Sequence, residues 1–314
     1  VLTTDEESGM GGARNLDTSL LQGKRLINID SEEEGHILTC CAGGMRAKIT
    51  LPLQKQPADE TFSAFKIIIS GLKGGHSGSD IHLQRASANK LMGRVLNTAL
   101  NELGGFLAEV NGGNMDNAIT RDAEAVVLVR NGEKLAEELK KLENIFRNEY
   151  KNVDDGITIS AEKINAPKEV MTAETGKKAV SVLMLIPFGV ETMSMEIKSL
   201  VESSSNIGIV RTNKNEITFD SAVRSSVNSR KWLICDKMQA IADLCGGKFE
   251  WRNEYPAWEY KENSPLRDIL SETYEKMFWQ KPHIDAIHAG LECGLFCGKM
   301  LDCDMVSIRP FSPY

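Results

Sequence analysis

No apolar run in this sequence of 314 residues approaches the roughly 20 residues that a membrane-spanning helix requires. The N-terminus has none of the features of a signal peptide. A basic stripe is also missing, because lysines and arginines are interspersed with acids and the formal net charge is -7. These absences argue against a membrane protein, and they argue against a nucleic acid as a partner.

Cysteines are few, and their spacing follows no disulfide pattern. Seven of them is an odd number, which indicates reduced thiols in a reducing compartment. We therefore expect a cytoplasmic protein. Cys293, Cys297 and Cys303 lie near one another in the sequence, but they lack the close cysteine pairs of structural zinc modules. Buried free thiols are the simpler interpretation.

A regular succession of predicted helices and strands fills the middle of the chain. Between about residues 64 and 164 the apolar pattern predicts the order β-α-β-β-α-β, which is that of a ferredoxin-like split unit. A similar half follows, with a helix over 176–186, a hairpin of strands and a helix over 229–245. An internal repeat of α+β units is consistent with this order.

The two ends of the chain are predicted to form a different domain. They contain short strands, such as 37–41 and 305–308, and a helix over 265–278. At 314 residues the chain is long enough for two domains with their own cores. The predicted fold is an α/β domain formed by residues 1–44 and 251–314, into which an α+β domain, residues 45–250, is inserted.

Carboxylates cluster at two places near the start of the chain. Glu6 and Glu7 are adjacent at the end of a predicted strand, and Asp30 ends a second short apolar run. Because neighbouring side chains of a strand point in opposite directions, one glutamate can bind a metal ion while the other faces the water on that ion. The alternative interpretation is a pair of solvated acidic turns.

Four loops could contribute to a ligand site between the two domains. His76 lies between glycines directly after a strand, and Asn117 lies in an Asn- and Gly-rich loop. Arg224 ends a strand of the second half. His288 and Gly290 belong to a loop that ends in an acid and is suited to binding a charged end of a ligand.

The first three of these loops also have a purely structural interpretation. A histidine between glycines can cap a helix, and Asn beside Gly is common in turns. A single arginine at the end of a strand is usually solvated. The fourth loop, in which a histidine, a glycine and an acid follow a strand, shifts the balance towards a ligand site.

Five motifs, taken in order, resemble those of the aminoacyl-histidine dipeptidases of the M20 metallopeptidase family. They are Leu-Thr-Thr-Asp-Glu-Glu, Asn-Ile-Asp-Ser-Glu-Glu-Glu-Gly, Gly-Leu-Lys-Gly-Gly-His-Ser-Gly, Asn-Lys-Leu and His-Ala-Gly-Leu-Glu-Cys-Gly. The resemblance runs along the whole chain. It implies a cytosolic peptidase with a zinc-binding α/β catalytic domain and an inserted α+β lid domain of ferredoxin-like units.

The resemblance also implies roles for the carboxylates and for the histidine of the lid. Glu6 matches the general base of the family, and Glu7 matches a zinc ligand. Asp30 matches a ligand of a second zinc ion. His76 resembles the imidazole that reaches the reacting carbonyl and supports the oxyanion. The implied reaction is hydrolysis of dipeptides, especially Xaa-His, by a water that two zinc ions activate.

Substrate-binding roles follow in the same way for the remaining loops. Asn117 and Arg224 resemble the lid groups that hold the substrate, and the arginine would offer two parallel hydrogen bonds to a C-terminal carboxylate. Gly290 resembles a backbone contact of the carboxylate pocket, in the loop that also contains His288. The implied partner is a dipeptide, and a homodimer is possible.

The chain also departs from the family pattern. The His-x-Asp motif and the bridging aspartate would precede Val1, and the last zinc-binding histidine would follow Tyr314. Since a catalytic zinc normally has three protein ligands, we expect this chain, cut at both ends, to lack a complete two-zinc centre and to be inactive by itself. Two alternatives stay open: a related M20 aminopeptidase or deacylase, and a non-catalytic lid or assembly fragment.

Overall fold

The computed structural model describes residues 1–6, 10–31 and 33–309. Its helices are α1 (Gly11–Asn15), α2 (Ala88–Asn97), α3 (Gly132–Glu149), α4 (Ala173–Leu185), α5 (Asn228–Cys245), α6 (Pro265–Phe278) and α7 (Glu292–Lys299). Two short 3-10 helices, Thr18–Leu20 and Ile81–Leu83, and a π-helical turn, Thr98–Glu102, complete the helical part of these residues. None of the described helices is both long and apolar enough to span a bilayer.

The strands form two main sheets and two short pairs. In chain order they are β1 (Arg25–Asn28), β2 (His36–Cys41), β3 (Gly43–Pro52), β4 (Lys55–Pro57), β5 (Ser63–Ser70), β6 (Gly75–His76), β7 (Phe106–Gly112), β8 (Ala118–Ile119), β9 (Ala123–Val129), β10 (Thr158–Ile164), β11 (Glu169–Met171), β12 (Gly189–Met193), β13 (Val201–Thr212), β14 (Glu216–Ser225), β15 (Lys248–Tyr255), β16 (His283–Ile287) and β17 (Asp304–Ile308). The short pairs are β4 with β11 and β6 with β8.

The smaller sheet has the strand order β1-β17-β2-β16. The pairs β1–β17 and β2–β16 are parallel, whereas β17 and β2 are antiparallel. Helices α6 and α7 pack against β17. One core of this part joins buried side chains of α7 to residues from both ends of the chain, among them Ala13, Cys41 and Met305. Both ends of the chain therefore fold together around this sheet.

The larger sheet has the order β10-β5-β9-β7-β13-β14-β3-β15, and β12 pairs with β13. Its first four strands belong to the unit β5-α2-β7-β9-α3-β10, which is the predicted ferredoxin-like unit. The four strands are mutually antiparallel neighbours. Helix α2 contacts β5 and β7, between which it crosses over, and α3 contacts β10.

The other four strands repeat this topology. The second unit is β3-α4-β13-β14-α5-β15, and its strand order, β15-β3-β14-β13, matches the order β10-β5-β9-β7 of the first unit. The first unit is inserted between β3 and α4 of the second. The two units meet edge to edge where β7 pairs with β13, at Gly112 and Val210. The internal repeat expected from the sequence is thus present in the fold.

Amphipathic patterns explain why these segments fold as they do. In α3, Leu135, Leu139 and Phe146 recur at helical spacing and are buried, and the Asn131 side chain caps the first turn by accepting a hydrogen bond from the Lys134 amide. In β3, buried Ile49 alternates with half-buried neighbours, as in a strand with one face on a core. Helices α2 to α5 and the sheet share one continuous hydrophobic core.

The predicted domain boundaries at 44/45 and 250/251 stay predictions, and both positions lie inside strands of the larger sheet, β3 and β15. One prediction about element positions needs correction. The strand predicted to end at the two glutamates is wrong for residues 1–6, which form no strand. Backbone amides of the segment that follows bond back to this stretch instead, with Gly12 N donating to Thr4 O at 2.8 Å.

Candidate active site

The two main sheets meet where the chain passes from one to the other. Strand β2 ends at Cys41 and β3 begins at Gly43, while β15 ends at Tyr255 and leads back toward the smaller sheet. Cys41 and Trp258 form a bridge at this crossing. Side chains from both sheets therefore converge here, and the predicted substrate-binding residues lie around this junction.

Arg224 lies near the end of β14 and is 6% exposed. Its Nη1 donates a hydrogen bond to the Tyr255 hydroxyl at 3.3 Å. Its Nε is buried without a hydrogen-bond partner among the described residues. A buried guanidinium with an unused donor is costly unless an anion completes it.

Tyr255 brings Arg224 close to the loop of the smaller sheet. A Cβ atom on Gly290 would lie 2.7 Å from Tyr255 Cε2, and a Cβ atom on Gly44 would lie 2.6 Å from the Tyr255 hydroxyl oxygen. Only glycine fits at these two positions while the ring stays where it is. Gly290 and Arg224 thus both lie against the same tyrosine.

His288 is buried beside the same arginine. Its Nε2 lies 2.7 Å from the Ser204 hydroxyl oxygen, and Ser204 is the cross-strand neighbour of Arg224. Burial lowers the pKa of His288 to about 3, with a smaller contribution from the Arg224 charge. The imidazole is therefore neutral at physiological pH and acts as a hydrogen-bonding group without charge.

His76 approaches this group from the first unit. Its Nδ1 accepts hydrogen bonds from the backbone amides of Gly78, at 3.2 Å, and Ser79, at 3.1 Å. Since Nδ1 is an acceptor, we assign the proton of the neutral ring to Nε2. Burial lowers the pKa of His76, and the Arg224 charge lowers it further. The loop after His76 reaches the other sheet, since a Cβ on Gly78 would lie 2.8 Å from the His288 carbonyl oxygen.

Asn117 lies beside His76 because strands β6 and β8 pair. Its carbonyl oxygen accepts a hydrogen bond from the Ser77 amide at 2.8 Å. The buried Asn206 of β13 holds the same loop, since its amide nitrogen donates to the carbonyls of Asp116, at 3.1 Å, and Ala118, at 2.9 Å. The second unit thereby fixes the loop of the first unit that carries Asn117.

The predicted catalytic and metal-binding carboxylates lie on a neighbouring cavity of about 650 Å³. Glu6 and Asp30 both line it, together with Glu292. Glu7 lies outside the described residues. The Met10 amide donates to the Glu6 carbonyl at 3.1 Å, and Met10 Cε would be 3.1 Å from a Cβ on Gly290. The carboxylate cavity therefore adjoins the loop that contains His288 and Gly290.

The described residues by themselves do not form a full ligand set for a metal ion. Glu6 and Asp30 share one cavity, as an arrangement of metal ligand and base would require. Within residues 1–6, 10–31 and 33–309, however, no three His, Cys, Asp or Glu side chains are grouped closely enough to hold an ion. This part of the chain is thus consistent with supplying some of the ligands of a metal centre. The predicted zinc ligands stay predictions.

Three residues of this region are absent from the sequence-based prediction: Ser204, Tyr255 and Glu292. Ser204 and Tyr255 contact predicted residues only through strand pairing and chain crossing, which a single sequence does not reveal. Glu292 was predictable from the sequence, because it belongs to the loop motif that includes His288 and Gly290.

The comparisons with known proteins agree with this architecture. Residues 67–154 match the peptidase dimerisation domain of the M20 family, which corresponds to most of the first unit. The chain is 37% identical over 314 residues to the cytosol non-specific dipeptidase of Escherichia coli K12, and the match covers 99% of this chain and 64% of that protein.

A solved structure is also similar to this chain along its whole length. The crystal structure of aminoacylhistidine dipeptidase from Vibrio alginolyticus superposes with a TM-score of 0.94 at 36% identity, over 100% of this chain and 64% of that one. Over the part that it spans, the chain therefore has the same fold of mixed α/β sheets as this dipeptidase. It is similar along its whole length to these two dipeptidases, and it spans about 64% of the length of each.

Proposed function

We propose that the chain forms part of a metal-dependent dipeptidase that hydrolyses short substrates of the Xaa-His type. The names of the two similar proteins support the reaction class. The observation that carries the proposal is the buried Arg224 with its unpartnered Nε. An anionic group is the natural partner for such a guanidinium, and every dipeptide has a C-terminal carboxylate.

We assign the larger sheet and its helices to the lid, and the smaller sheet to the catalytic part. In this arrangement Arg224 binds the substrate carboxylate, while the Gly290 backbone and neutral His288 complete the pocket around it. Asn117 and His76 hold the rest of the substrate from the lid. The contacts of Tyr255 with Arg224 and with the Gly290 position support a pocket made by both parts together.

Hydrolysis would then proceed with Glu6 as general base. Glu6 takes a proton from the attacking water and later gives it to the leaving amine. The Nε2 proton of His76 stabilises the oxyanion that forms at the carbonyl. Glu7 and Asp30 would each contribute one ligand to a zinc ion, which when bound lowers the pKa of the water. In this assignment the residues of this chain supply proton transfer and charge stabilisation.

The test compares substrates with and without the anionic end. In the full-length protein, Arg224→Lys should raise KM for Ala-His by roughly 10- to 100-fold, because lysine cannot form two parallel hydrogen bonds. Ala-His amide should respond little to the substitution. Arg252→Lys is a matched control, since Arg252 is exposed on β15. Equal loss for both substrates would reject the assigned role of Arg224.

A second variant tests the assigned base. Glu6→Gln should abolish turnover while leaving the content of bound metal close to that of the wild type, because glutamine keeps the shape of the side chain but accepts no proton. Metal content is measured by elemental analysis. Turnover retained in Glu6→Gln would transfer the role of base to another residue.

We also propose a cytoplasmic protein that forms a homodimer, on the basis of the word cytosol in one relative's name and of the dimerisation-domain match. The edge of β7 is already paired with β13 of the same chain. A dimer would therefore have to use another surface. Light scattering on the purified protein measures the mass directly, and a monomeric mass would contradict the proposal.

A further inference from the structure

Glu292 is a buried carboxylate to which no role has yet been assigned. It is the first residue of α7, is 7% exposed and lines the cavity that also contains Glu6 and Asp30. Its Oε1 is buried and has no hydrogen-bond partner within the described part of the chain. A carboxylate oxygen in this situation loses its hydration without compensation from the protein.

The helix only partly accounts for a carboxylate at this place. Negative charge is favoured at a helix N-terminus, typically by a few tenths to about 1 kcal/mol. The residue before Glu292 is Leu291, which supplies no side-chain cap. A buried carboxylate oxygen without a hydrogen-bond partner costs more than this favourable term. A cationic ligand in the cavity would supply the missing interaction.

The position of Glu292 favours an ammonium group over a metal ion as that ligand. Glu292 lines the cavity that also contains Glu6 and Asp30. Glu292 is two positions after Gly290, which adjoins the Arg224 pocket. Two extended residues span at most about 7 Å, which is also the length of a dipeptide between its charged ends.

We propose that Glu292 binds the N-terminal ammonium group of the substrate. The inference rests on the proposed dipeptidase function and adds a determinant of its specificity. The loop from His288 to Glu292 then lies along the substrate, with the anionic end at Arg224 and the cationic end at Glu292. The site would therefore select dipeptides with two free ends, because a longer or blocked peptide cannot bind both Arg224 and Glu292 through its charged ends.

The test uses two substrates that differ only in the amino group, Ala-His and propionyl-His. The full-length wild type should prefer Ala-His, and Glu292→Gln should reduce that preference in kcat/KM by roughly 10-fold or more, since it removes one charge-assisted hydrogen bond. Glu259→Gln is the matched control, because Glu259 is exposed and its carboxylate accepts a hydrogen bond from the Asn228 amide. Zinc content is measured for each variant.

The outcomes separate the inference from the function on which it rests. A wild type that cleaves neither substrate rejects the proposed function, and the inference with it. A Glu292→Gln variant that cleaves Ala-His with unchanged preference rejects the inference alone. Loss of bound zinc in this variant would make Glu292 a metal ligand and would also overturn the inference.

A second measurement needs no activity and uses the present chain. If Glu292 is retained for a ligand, Glu292→Gln should unfold at the same or a higher urea concentration than the wild type, because an unpaired buried charge is removed. A lower unfolding midpoint would show that the carboxylate serves the fold, and this result would contradict the inference.

Discussion

The Nη1 atom of Arg224 donates a hydrogen bond to the hydroxyl of Tyr255 across 3.3 Å. The backbone of Tyr255 is held in turn, because its carbonyl oxygen accepts a hydrogen bond from buried Lys231 at 2.7 Å. The same Nζ lies 2.6 Å from the Glu254 carboxylate. A chain of contacts from α5 through the end of β15 thus fixes the guanidinium at the junction of the two sheets.

Removing only the tyrosine hydroxyl should loosen this guanidinium. We expect Tyr255→Phe in the full-length protein to raise KM for Ala-His by roughly 3- to 10-fold, because one long hydrogen bond from the guanidinium is lost, with little change in kcat. Steady-state kinetics measures both constants. Tyr260→Phe is the control, because the Tyr260 hydroxyl accepts a hydrogen bond from Arg267 instead. A fall in kcat at constant KM would contradict a positioning role.

Elements with strong local periodicity were predictable from the sequence. The predicted helix over 265–278 coincides with α6, and the predicted order β-α-β-β-α-β between about residues 64 and 164 coincides with β5-α2-β7-β9-α3-β10. In each case a local pattern of apolar residues suffices, because one face of the element must be buried whatever its neighbours are.

Other features depend on contacts between distant parts of the chain. Strand β3 is not predicted, although its buried residues alternate with charged ones, and neither is β15. The pairing of β3 with β14 and β15 joins segments about 170 to 200 residues apart. For the same reason no sequence pattern indicated that Tyr255 would contact Arg224, whereas the glycines beside His76 and His288 did mark loops of the site.

The junction between the two ferredoxin-like units should depend on a pair of glycines. Gly113 has a φ of +68°, and a Cβ there would lie 1.9 Å from the Gly208 carbonyl oxygen. Because backbone cannot move aside as a side chain can, we expect Gly113→Ala to lower the free energy of unfolding by roughly 3 kcal/mol or more. Urea unfolding followed by circular dichroism gives this quantity.

Gly104→Ala separates the two causes of that loss. Gly104 has a similar φ of +66°, but nothing lies within 4 Å of its Cβ position. Gly104→Ala should therefore lower the free energy of unfolding only by the cost of placing a non-glycine residue in the left-handed conformation, roughly 1 kcal/mol. Similar losses for the two variants would show that backbone conformation, and not the approach of β13, limits the choice of residue at Gly113.

Buried His288 should make the protein sensitive to acid. Its pKa in the folded state, about 3, lies below the value of roughly 6.5 expected in the unfolded chain. Between these values the unfolded state binds more protons, so the free energy of unfolding falls as the pH decreases from about 6.5, by at most about 1.4 kcal/mol per pH unit from this residue.

Comparison of a His288 variant with the wild type isolates this contribution. His288→Asn removes the titrating group and keeps an acceptor for the Ser204 hydroxyl, so the loss of stability between pH 7 and pH 5 should become shallower. Urea unfolding of both proteins at several pH values measures the slope. An unchanged slope in His288→Asn would mean that His288 gains its proton in the folded state, and that the pocket beside Arg224 is open to water.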